Sequence, residues 1–457
     1  MSQGQPNPWH NGQGRVWPGE WVTSRLGVRV TGDGLADLVG LAVRRNPRRA
    51  HLLVSSVLGK HVPTDPRLVY GSGLLLGELV RLRLRGREAG GEQYLPFLAN
   101  ALRGTRGAPR ALRDRLREPK GGVDAIVLGY AETATALGHS VADALGGAYY
   151  LHSTRRPVPG FAAYGGFEEE HSHATSHLLL PADPAALDRD VPVVLVDDEL
   201  STGRTVLNTI RALHAVRPRT RYVLAALVDL RNEVDRARMR DLAAELDVRI
   251  DAVCLATGRV ELPMGVLDAG RALVEELTAR TPEPVPAGVF ATSRVDLGWP
   301  AGVPDGGRHG FVRDDRRRLE AELPRMALRL AAALTPETAR VLVLGFEELM
   351  YAPLRVAEAL ADALPGVAVR YSTTTRSPVL AVDDPGYAIR TRLVFPAHDD
   401  PADGPGERYA YNVDAGYDAI VLVVDEAGDT EELATGLLPR LAGLAPVLLA
   451  TIPKEGP

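Results

Sequence analysis

From Gly122 onward the chain alternates short apolar runs with amphipathic stretches: DAIVLGY, TATALGHSVADALG, YYLHST, a long polar interval, PVVLVDD, TVLNTIRALHAV, YVLAALVDL and RIDAVCLA. Unbroken apolar strands are buried on both faces, and strands separated by helices pair in parallel because each crossover returns the chain to the same edge. The pattern therefore predicts an α/β fold, a parallel sheet covered by helices. Upstream, residues 21–91 read as strands and turns around one helix, RLVYGSGLLLGELVRLRLRG, with HLLVSSVLGKHVPTD predicting two short strands joined by a Gly-containing turn.

After two Pro/Gly-rich stretches, TPEPVPAG from Thr281 and GWPAGVPDGGRHG from Gly298, the alternation resumes. ARVLVLGFEELMYAPLRVAEALADALPGVAVRYSTTTRSPV follows DAIVLGYAETATALGHSVADALGGAYYLHSTRRPV element by element, and each closes on Thr-Arg-x-Pro-Val. AIVLVVDEAGDTEELATGLLPRL then lies where VPVVLVDDELSTGRTVLNTIRAL lies in the first copy. Any two strand-helix-strand units look somewhat alike, but the matched turns favour an internal duplication. The expected organisation is a disordered tail over 1–20, a first domain with an N-terminal hood over 21–280, a linker over 281–310 and a degenerate Rossmann-like α/β unit over 311–457.

Composition narrows the partners. No apolar run of the 457-residue chain approaches the roughly 18 residues that span a bilayer, and the polar N-terminus carries no signal-peptide pattern. The net charge of -5 argues against a nucleic-acid binder driven by bulk electrostatics, and RRNPRR from Arg44 and RLRLRGRE from Arg81 read as solvated faces. A lone cysteine, Cys254, excludes an internal disulfide and a cysteine metal cage. A cytoplasmic protein, with homodimerisation open, is the expectation.

The chemistry concentrates in VPVVLVDDELSTGRTVLNTI, Val191 to Ile210. Val193 to Val196 read as a buried strand, and Val206, Ile210 and Leu213 recur at helical spacing, so Asp197 to Thr205 form a strand-to-helix loop at the carboxyl edge of the sheet. Gly203 admits close approach of a ligand. The amides of Thr202 to Thr205, with Arg204 among them, and the Ser201, Thr202 and Thr205 hydroxyls suit a phosphate at a helix N-terminus. Asp197 and Asp198 would repel that phosphate unless they face ribose hydroxyls or a Mg²⁺ ion, so the ligand reads as a sugar phosphate with a free vicinal diol. A Walker-B-like or receiver-like strand end also gives Val-Asp-Asp, but the chain has no GxxxxGK[ST] loop.

Asp-Asp, two residues, then Ser-Thr-Gly-x-Thr resembles the phosphoribosyl pyrophosphate (PRPP) loop of type I phosphoribosyltransferases. The resemblance implies that Ser201 to Thr205 hold the 5'-phosphate and that Asp197 and Asp198 contact the ribose hydroxyls, with Mg²⁺ reached through ligand or water. GYAETATALG, with Tyr130, Glu132 and Thr133, is placed to cradle pyrophosphate on helix amides, an ordinary helix cap being the alternative. By the same resemblance Arg155 and Arg156 stabilise the departing pyrophosphate. Lys60 and His61 in VLGKHVPTDP resemble a hairpin of orotate phosphoribosyltransferases that brings a lysine to the site from the hood; a solvated turn lysine is the alternative. His171, His173 and His177 alternate as strand residues on one face would, which raises a metal site, although such a triad without carboxylate support is more often a polar active-site wall.

Taken with FEEEHSHATSHLLLP and TTTRSPV, these motifs resemble the phosphoribosyltransferases found with bacterial tellurium-resistance stress genes. There an orotate-phosphoribosyltransferase-like domain precedes a TRSP domain named for its tetrapeptide, here Thr375 to Pro378. The resemblance implies a type I parallel sheet with a hood, transfer from PRPP with Mg²⁺, and a base-like acceptor of unknown identity. In the second copy Glu431 aligns with Gly203 and Leu433 with Thr205, so that unit is expected not to bind PRPP and Asp425 to take no part. It either covers the first site or offers a pocket read by Arg376, Ser377 and the Gly307-Arg308-His309-Gly310 turn. A PRPP-binding regulator without turnover is the alternative function, and a scaffold subunit leaves the intact loop unexplained.

Overall fold

The computed structural model describes residues 17–46, 49–87, 91–118, 120–156, 158, 160–167, 177–278, 290–399 and 406–453. Two five-stranded sheets organise it. The first contains β1 (Ile126–Gly129), β2 (Tyr149–His152), β3 (Val193–Leu200), β4 (Arg221–Asp229) and β5 (Arg249–Thr257), in the order β5-β4-β3-β1-β2. The second contains β6 (Thr292–Arg294), β7 (Arg340–Gly345), β8 (Ala368–Thr373), β9 (Ala419–Asp425) and β10 (Val447–Ile452), in the order β6-β10-β9-β7-β8. Every pairing in both is parallel. The α/β class read from the alternation is the class observed.

The two strand orders match place by place, as a duplication requires. One place differs in origin: beside β4 stands β5, which follows it in the chain, whereas beside β10 stands β6, which precedes the whole second unit. Val193 to Val196 and Ile420 to Val423 are all 1% exposed or less, so both central strands are core.

The helices α1 (Pro66–Leu84), α2 (Thr135–Ala144), α3 (Arg204–Val216), α4 (Arg313–Ala333) and α5 (Tyr351–Ala363) show how the units meet. The segment entering α1 pairs with the second sheet: Thr64 N donates to Tyr371 O at 3.0 Å and Tyr371 N returns to Thr64 O at 2.8 Å. The segment entering α4 pairs with the first: Phe311 N donates to Tyr150 O at 2.8 Å and Tyr150 N to Phe311 O at 3.0 Å. Tyr150 and Tyr371 are matched residues of the two copies, so each unit lends an extended segment to the edge strand of the other. Between α1, α2, α4 and α5 the buried Asp143 accepts from Tyr70 Oη at 2.8 Å and Tyr351 Oη at 2.7 Å, with Arg316 at 3.3 Å and Arg355 at 3.5 Å.

Several expectations change. Of HLLVSSVLGKHVPTD only Arg49–Ser55 is a strand, paired antiparallel with Val39–Asn46; the rest extends across to Tyr371 because its partner is the other unit. Trp17 to Glu20, read as tail, are packed: Trp17 Nε1 donates to Val39 O at 3.0 Å and a helix begins at Glu20. Residues 290–310, read as linker, supply β6 and the approach to Phe311. Their glycines serve contact: a Cβ on Gly307 would lie 2.3 Å from the Tyr150 ring, as one on Gly59 would lie 2.5 Å from the Tyr371 ring. Arg81 is buried against Glu78 at 2.6 Å.

Overpacking against an aromatic ring costs about 1–3 kcal/mol, so Gly307→Ala should lower the free energy of unfolding by that amount in chemical denaturation. Gly306→Ala, where a Cβ meets nothing within 4 Å, should stay within about 0.5 kcal/mol of the parent chain.

Candidate active site

In the first sheet the chain runs from β1 outward to β2 and then returns to β3 on the other side of β1. The backbone therefore diverges above the carboxyl ends of β1 and β3, the place where open parallel sheets bind ligands. A cavity of about 510 Å³ opens there, within the roughly 300–1,000 Å³ usual for small-molecule sites.

One side of the cavity is the end of β3 with the short loop after it, and Asp197 through Val206 all line it; Asp197 to Leu200, read as loop, still belong to the strand. Asp197 and Asp198 are half-buried, and the Asp198 amide turns back to Asp197 Oδ1 at 2.9 Å. Gly203 is the N-cap of α3 with φ +74°, a left-handed conformation that glycine adopts without steric cost. The first turn of α3 thus presents its amide end to the cavity beside two carboxylates, and an anion with neighbouring hydroxyls complements both.

The other side is the loop after β1. Tyr130, Ala131, Glu132 and Thr133 line the cavity. The N-cap of α2 is Ala134, without a side-chain cap, so Glu132 and Thr133 are not helix caps; they meet Lys60. The Lys60 ammonium lies 3.0 Å from Glu132 and donates to Thr133 Oγ1 at 2.7 Å, although Lys60 is only 6% exposed. Burial by itself would raise the Glu132 pKa, but the charges of Lys60 and Arg376 and a hydrogen bond from Thr375 outweigh it and hold the carboxyl well below the usual range. Lys60 is thus no solvated turn lysine.

Ser153, which the sequence reading passed over, ties this loop to its surroundings. Its Oγ accepts from Ala131 N at 2.9 Å and meets His177 Nδ1 at 2.8 Å, while His177 Nε2 lies 3.4 Å from the Arg155 guanidinium. Both His177 ring nitrogens are thereby engaged, so His177 forms cavity wall. His171 and His173 lie outside the described residues. Among the described residues no cluster of three or more His, Cys, Asp or Glu is arranged to hold a metal. His61 lines the cavity and is neutral: burial first, then Lys60 and Arg44, push its pKa well below the ordinary value.

Two placements depart from expectation. Arg156 does not line the cavity: its guanidinium is buried in the second unit, 2.7 Å from Asp399 and 3.1 Å from Asp425, over the Phe346 ring. Arg44, Arg45 and Arg49, read as a solvated face, line the cavity from the hairpin above it. The missed signal was position, since a hairpin hung over a cleft turns one face of each strand inward.

Thr375, Arg376, Ser377 and Pro378 line this first cavity, although they belong to the second unit. Arg376 N donates to Glu132 at 3.3 Å, and the Arg376 side chain turns away to Glu347. The matching turn of the first unit makes the reciprocal contact: Thr154 Oγ1 donates to Glu348 at 2.7 Å and Arg155 N at 3.0 Å. Glu348 is the counterpart of Glu132, and Arg308, 3.5 Å from Glu348, is the counterpart of Lys60. Thr375 to Pro378 thus cover the first cavity, one of the two roles offered for the second unit, while Gly307 and Gly310 pack on Tyr150 and Tyr149.

The sheet registers also correct the alignment of the two loops. Gly129 pairs with Val196, and the register that pairs Leu344 with Leu422 sets its counterpart Gly345 opposite Val423. Asp197 is therefore matched by Val424, Asp198 by Asp425, Gly203 by Thr430 and Thr205 by Glu432, one residue from the sequence alignment. Thr430 is indeed the N-cap of the helix Glu431–Thr435, with φ -116°, as Gly203 is of α3. Its hydroxyl accepts from Leu433 N at 3.2 Å, and Asp425 accepts from Gly428 N at 2.9 Å, so the second loop satisfies its own amides with its own side chains. The second loop thus differs from the first at the N-cap and in its internal hydrogen bonds rather than by an acid at the glycine position.

Asp425 does, however, hold Arg156 beside Arg155. Asp425→Asn and Glu348→Gln should each weaken binding of pyrophosphate about ten- to hundredfold, the value of a charge-assisted hydrogen bond, with ribose 5-phosphate affinity changed less than about twofold. Calorimetry with each ligand measures both; equal losses for the two ligands would show general damage instead.

The phosphoribosyl transferase family matches residues 38–259, and the TRSP domain family, described as C-terminal to that transferase domain, matches residues 305–441. Among curated proteins nothing matches. Adenine phosphoribosyltransferase from Trypanosoma brucei, solved with AMP, pyrophosphate and ribose 5-phosphate, is similar at 17% identity and TM-score 0.23 over 31% of this chain and 60% of that one. The Giardia lamblia enzyme with 9-deazaadenine gives 18% and 0.22 over 33% and 81%, and that of Leishmania tarentolae 16% and 0.24 over 37% and 76%. At TM-scores this low, the two family matches in tandem identify the chain. It belongs to the phosphoribosyltransferases, glycosyl-transferring enzymes, in which a TRSP domain follows the transferase domain.

Proposed function

We propose that the cavity binds PRPP and transfers its phosphoribosyl group to a nitrogen acceptor with release of pyrophosphate. The observation that carries this is the convergence of two loops on one cavity: the Asp197–Thr205 loop with its helix amides, and the Tyr130–Thr133 loop with Lys60 and Arg155 beside it. The amides and hydroxyls of Ser201 to Thr205 hold the 5'-phosphate, and Asp197 and Asp198 accept from the ribose hydroxyls. The pyrophosphate lies toward the second loop, where Lys60 and Arg155 offset its charge.

The site fits Mg²⁺ of the kind that takes one or two protein carboxylates and completes its shell with water and phosphate oxygens: Asp197 and Asp198 would hold it, and when bound it neutralises charge on the pyrophosphate. The acceptor nitrogen forms the bond to C1' as the bond from C1' to the pyrophosphate oxygen breaks. The electron pair leaves with pyrophosphate, and any proton on the nitrogen passes to solvent. Positive charge develops on the ribose ring, so the chain contributes by position, by charge and by excluding water under the hairpin and the TRSP turn. The Lys60–Glu132 pair recurs as Arg308–Glu348 in a unit without the phosphate loop. Pairing therefore supports an anchoring role, and the place of Lys60 on the cavity wall supports its contact with substrate.

Asp197→Asn combined with Asp198→Asn should weaken PRPP binding at least about hundredfold, since two charge-assisted contacts are lost, as read by calorimetry with PRPP and Mg²⁺. Acceptor-dependent pyrophosphate release is the expected turnover. Binding without release from any acceptor supports the regulator, and an unchanged affinity in the double variant refutes the site.

A further inference from the structure

Resting on that reading of the first cavity, we propose that Ser377 of the TRSP turn is what keeps the cavity open to the ribose of PRPP, and that its counterpart Arg156 is a tethered plug filling the same place in the second unit. The two turns correspond residue by residue. Gly129 pairs with His152 and Gly345 with Thr373, so Thr154, Arg155 and Arg156 answer to Thr375, Arg376 and Ser377. Arg156 N donates to Thr154 Oγ1 at 3.1 Å, and Ser377 N donates to Thr375 Oγ1 at 3.1 Å. One residue earlier, Arg155 N donates to Glu348 and Arg376 N to Glu132, each across to the opposite unit. Arg156 and Ser377 therefore enter the opposite units at equivalent places.

What fills each place differs. In the second unit it lies between Asp425 and the Phe346 ring, and the buried Arg156 occupies it. The guanidinium is 3.1 Å from Asp425, 2.7 Å from Asp399 and 4.7 Å from the centroid of the Phe346 ring. In the first unit the strand registers set Asp198 where Asp425 stands and Tyr130 where Phe346 stands, and both line the cavity together with Ser377. Serine ends at Oγ, far short of the point to which an arginine carries its guanidinium. Among the described residues no side chain pairs with the Asp198 carboxylate.

A carboxylate drawn out of water needs donors in exchange. Asp425 receives them permanently from Arg156, whose planar fork suits a carboxylate. Asp198 is left to the ligand, and the ribose hydroxyls are donors of the kind it lacks. An arginine at position 377 would give Asp198 the same permanent partner and exclude the sugar. Access to the first cavity is thus set by the second unit, through the one turn residue at which the two copies exchange arginine for serine.

Two experiments on the full chain test this. The first puts the plug into the open cavity. Ser377→Arg should weaken binding of ribose 5-phosphate, and of PRPP with Mg²⁺, about ten- to hundredfold in calorimetry, the value of a charge-assisted contact that the ligand has to displace. Ser377→Met, a flexible chain without the charge, should lose less because it yields to the ligand. Equal losses for the two variants would mean bulk alone and overturn the proposal, as would a Ser377→Arg variant that binds like the parent chain. The second experiment removes the plug and needs neither PRPP nor a change at Ser377. Arg156→Ser leaves Asp425 and Asp399 buried without the guanidinium, so the thermal midpoint should fall, and low-millimolar guanidinium ion should raise it again by binding in the vacated place. Sodium at the same concentration should not raise it, and guanidinium should not raise the midpoint of the parent chain, where the place is filled. No recovery, or an equal rise in the parent chain, would overturn the plug. Failure of the parent chain to bind PRPP is a separate outcome: it refutes the first site and the role of Ser377 with it, while the guanidinium result still decides the role of Arg156.

Discussion

The structure depends on a reciprocal exchange of backbone between two copies of one unit. Thr64 pairs with Tyr371 and Phe311 with Tyr150, and each contact leads into the helix that covers the lending unit. Because the exchanged segments carry Gly59-Lys60-His61 and Gly307-Arg308-His309, the pairing also delivers a cation to Glu132 on one side and to Glu348 on the other. The Thr-Arg-x-Pro turns cross in the same way. The active cavity is therefore composite: its phosphate loop belongs to the first unit, and part of its roof belongs to the second.

Charge buried at this junction serves alignment more readily than stability. Removing ions from water is expensive, and a buried pair compensates only when its geometry is complete. Asp143 with Tyr70, Tyr351, Arg316 and Arg355, and Arg113 with Glu358 and Asp362, have such geometry. Any other docking of the units would strand several of these charges, which makes the observed docking specific. The same logic explains the second site: where a phosphate loop would stand, Asp425 and Arg156 complete each other.

The divergence of the copies is also physical. Replacing Gly203 by the counterpart Thr430 exchanges a left-handed N-cap for an extended one whose side chain takes the helix amide itself. Once the amides are satisfied internally there is no cradle, and Val424 in place of Asp197 removes a carboxylate from the strand end. The second unit kept its sheet, its turn and its Lys60-like cation, the parts that the first unit needs from it.

The sequence by itself determined the parallel α/β class, the duplication and the turn that opens α3 at Gly203, because apolar periodicity, matched turns and Asp-Asp-x-x-Ser-Thr-Gly-x-Thr are local patterns with local causes. Tertiary structure alone decided which unit each side chain serves. Adjacent residues of one turn, Arg155 and Arg156, enter different sites; Ser377 lines a cavity more than 170 residues upstream of its own position; and Arg44, Arg45 and Arg49 face inward. The one-residue error in aligning the two loops has the same origin, since strand register is set by the neighbouring strand and not by the letters of the loop. Contacts across the exchange depend on the docking of two complete units, and no window of sequence contains that information.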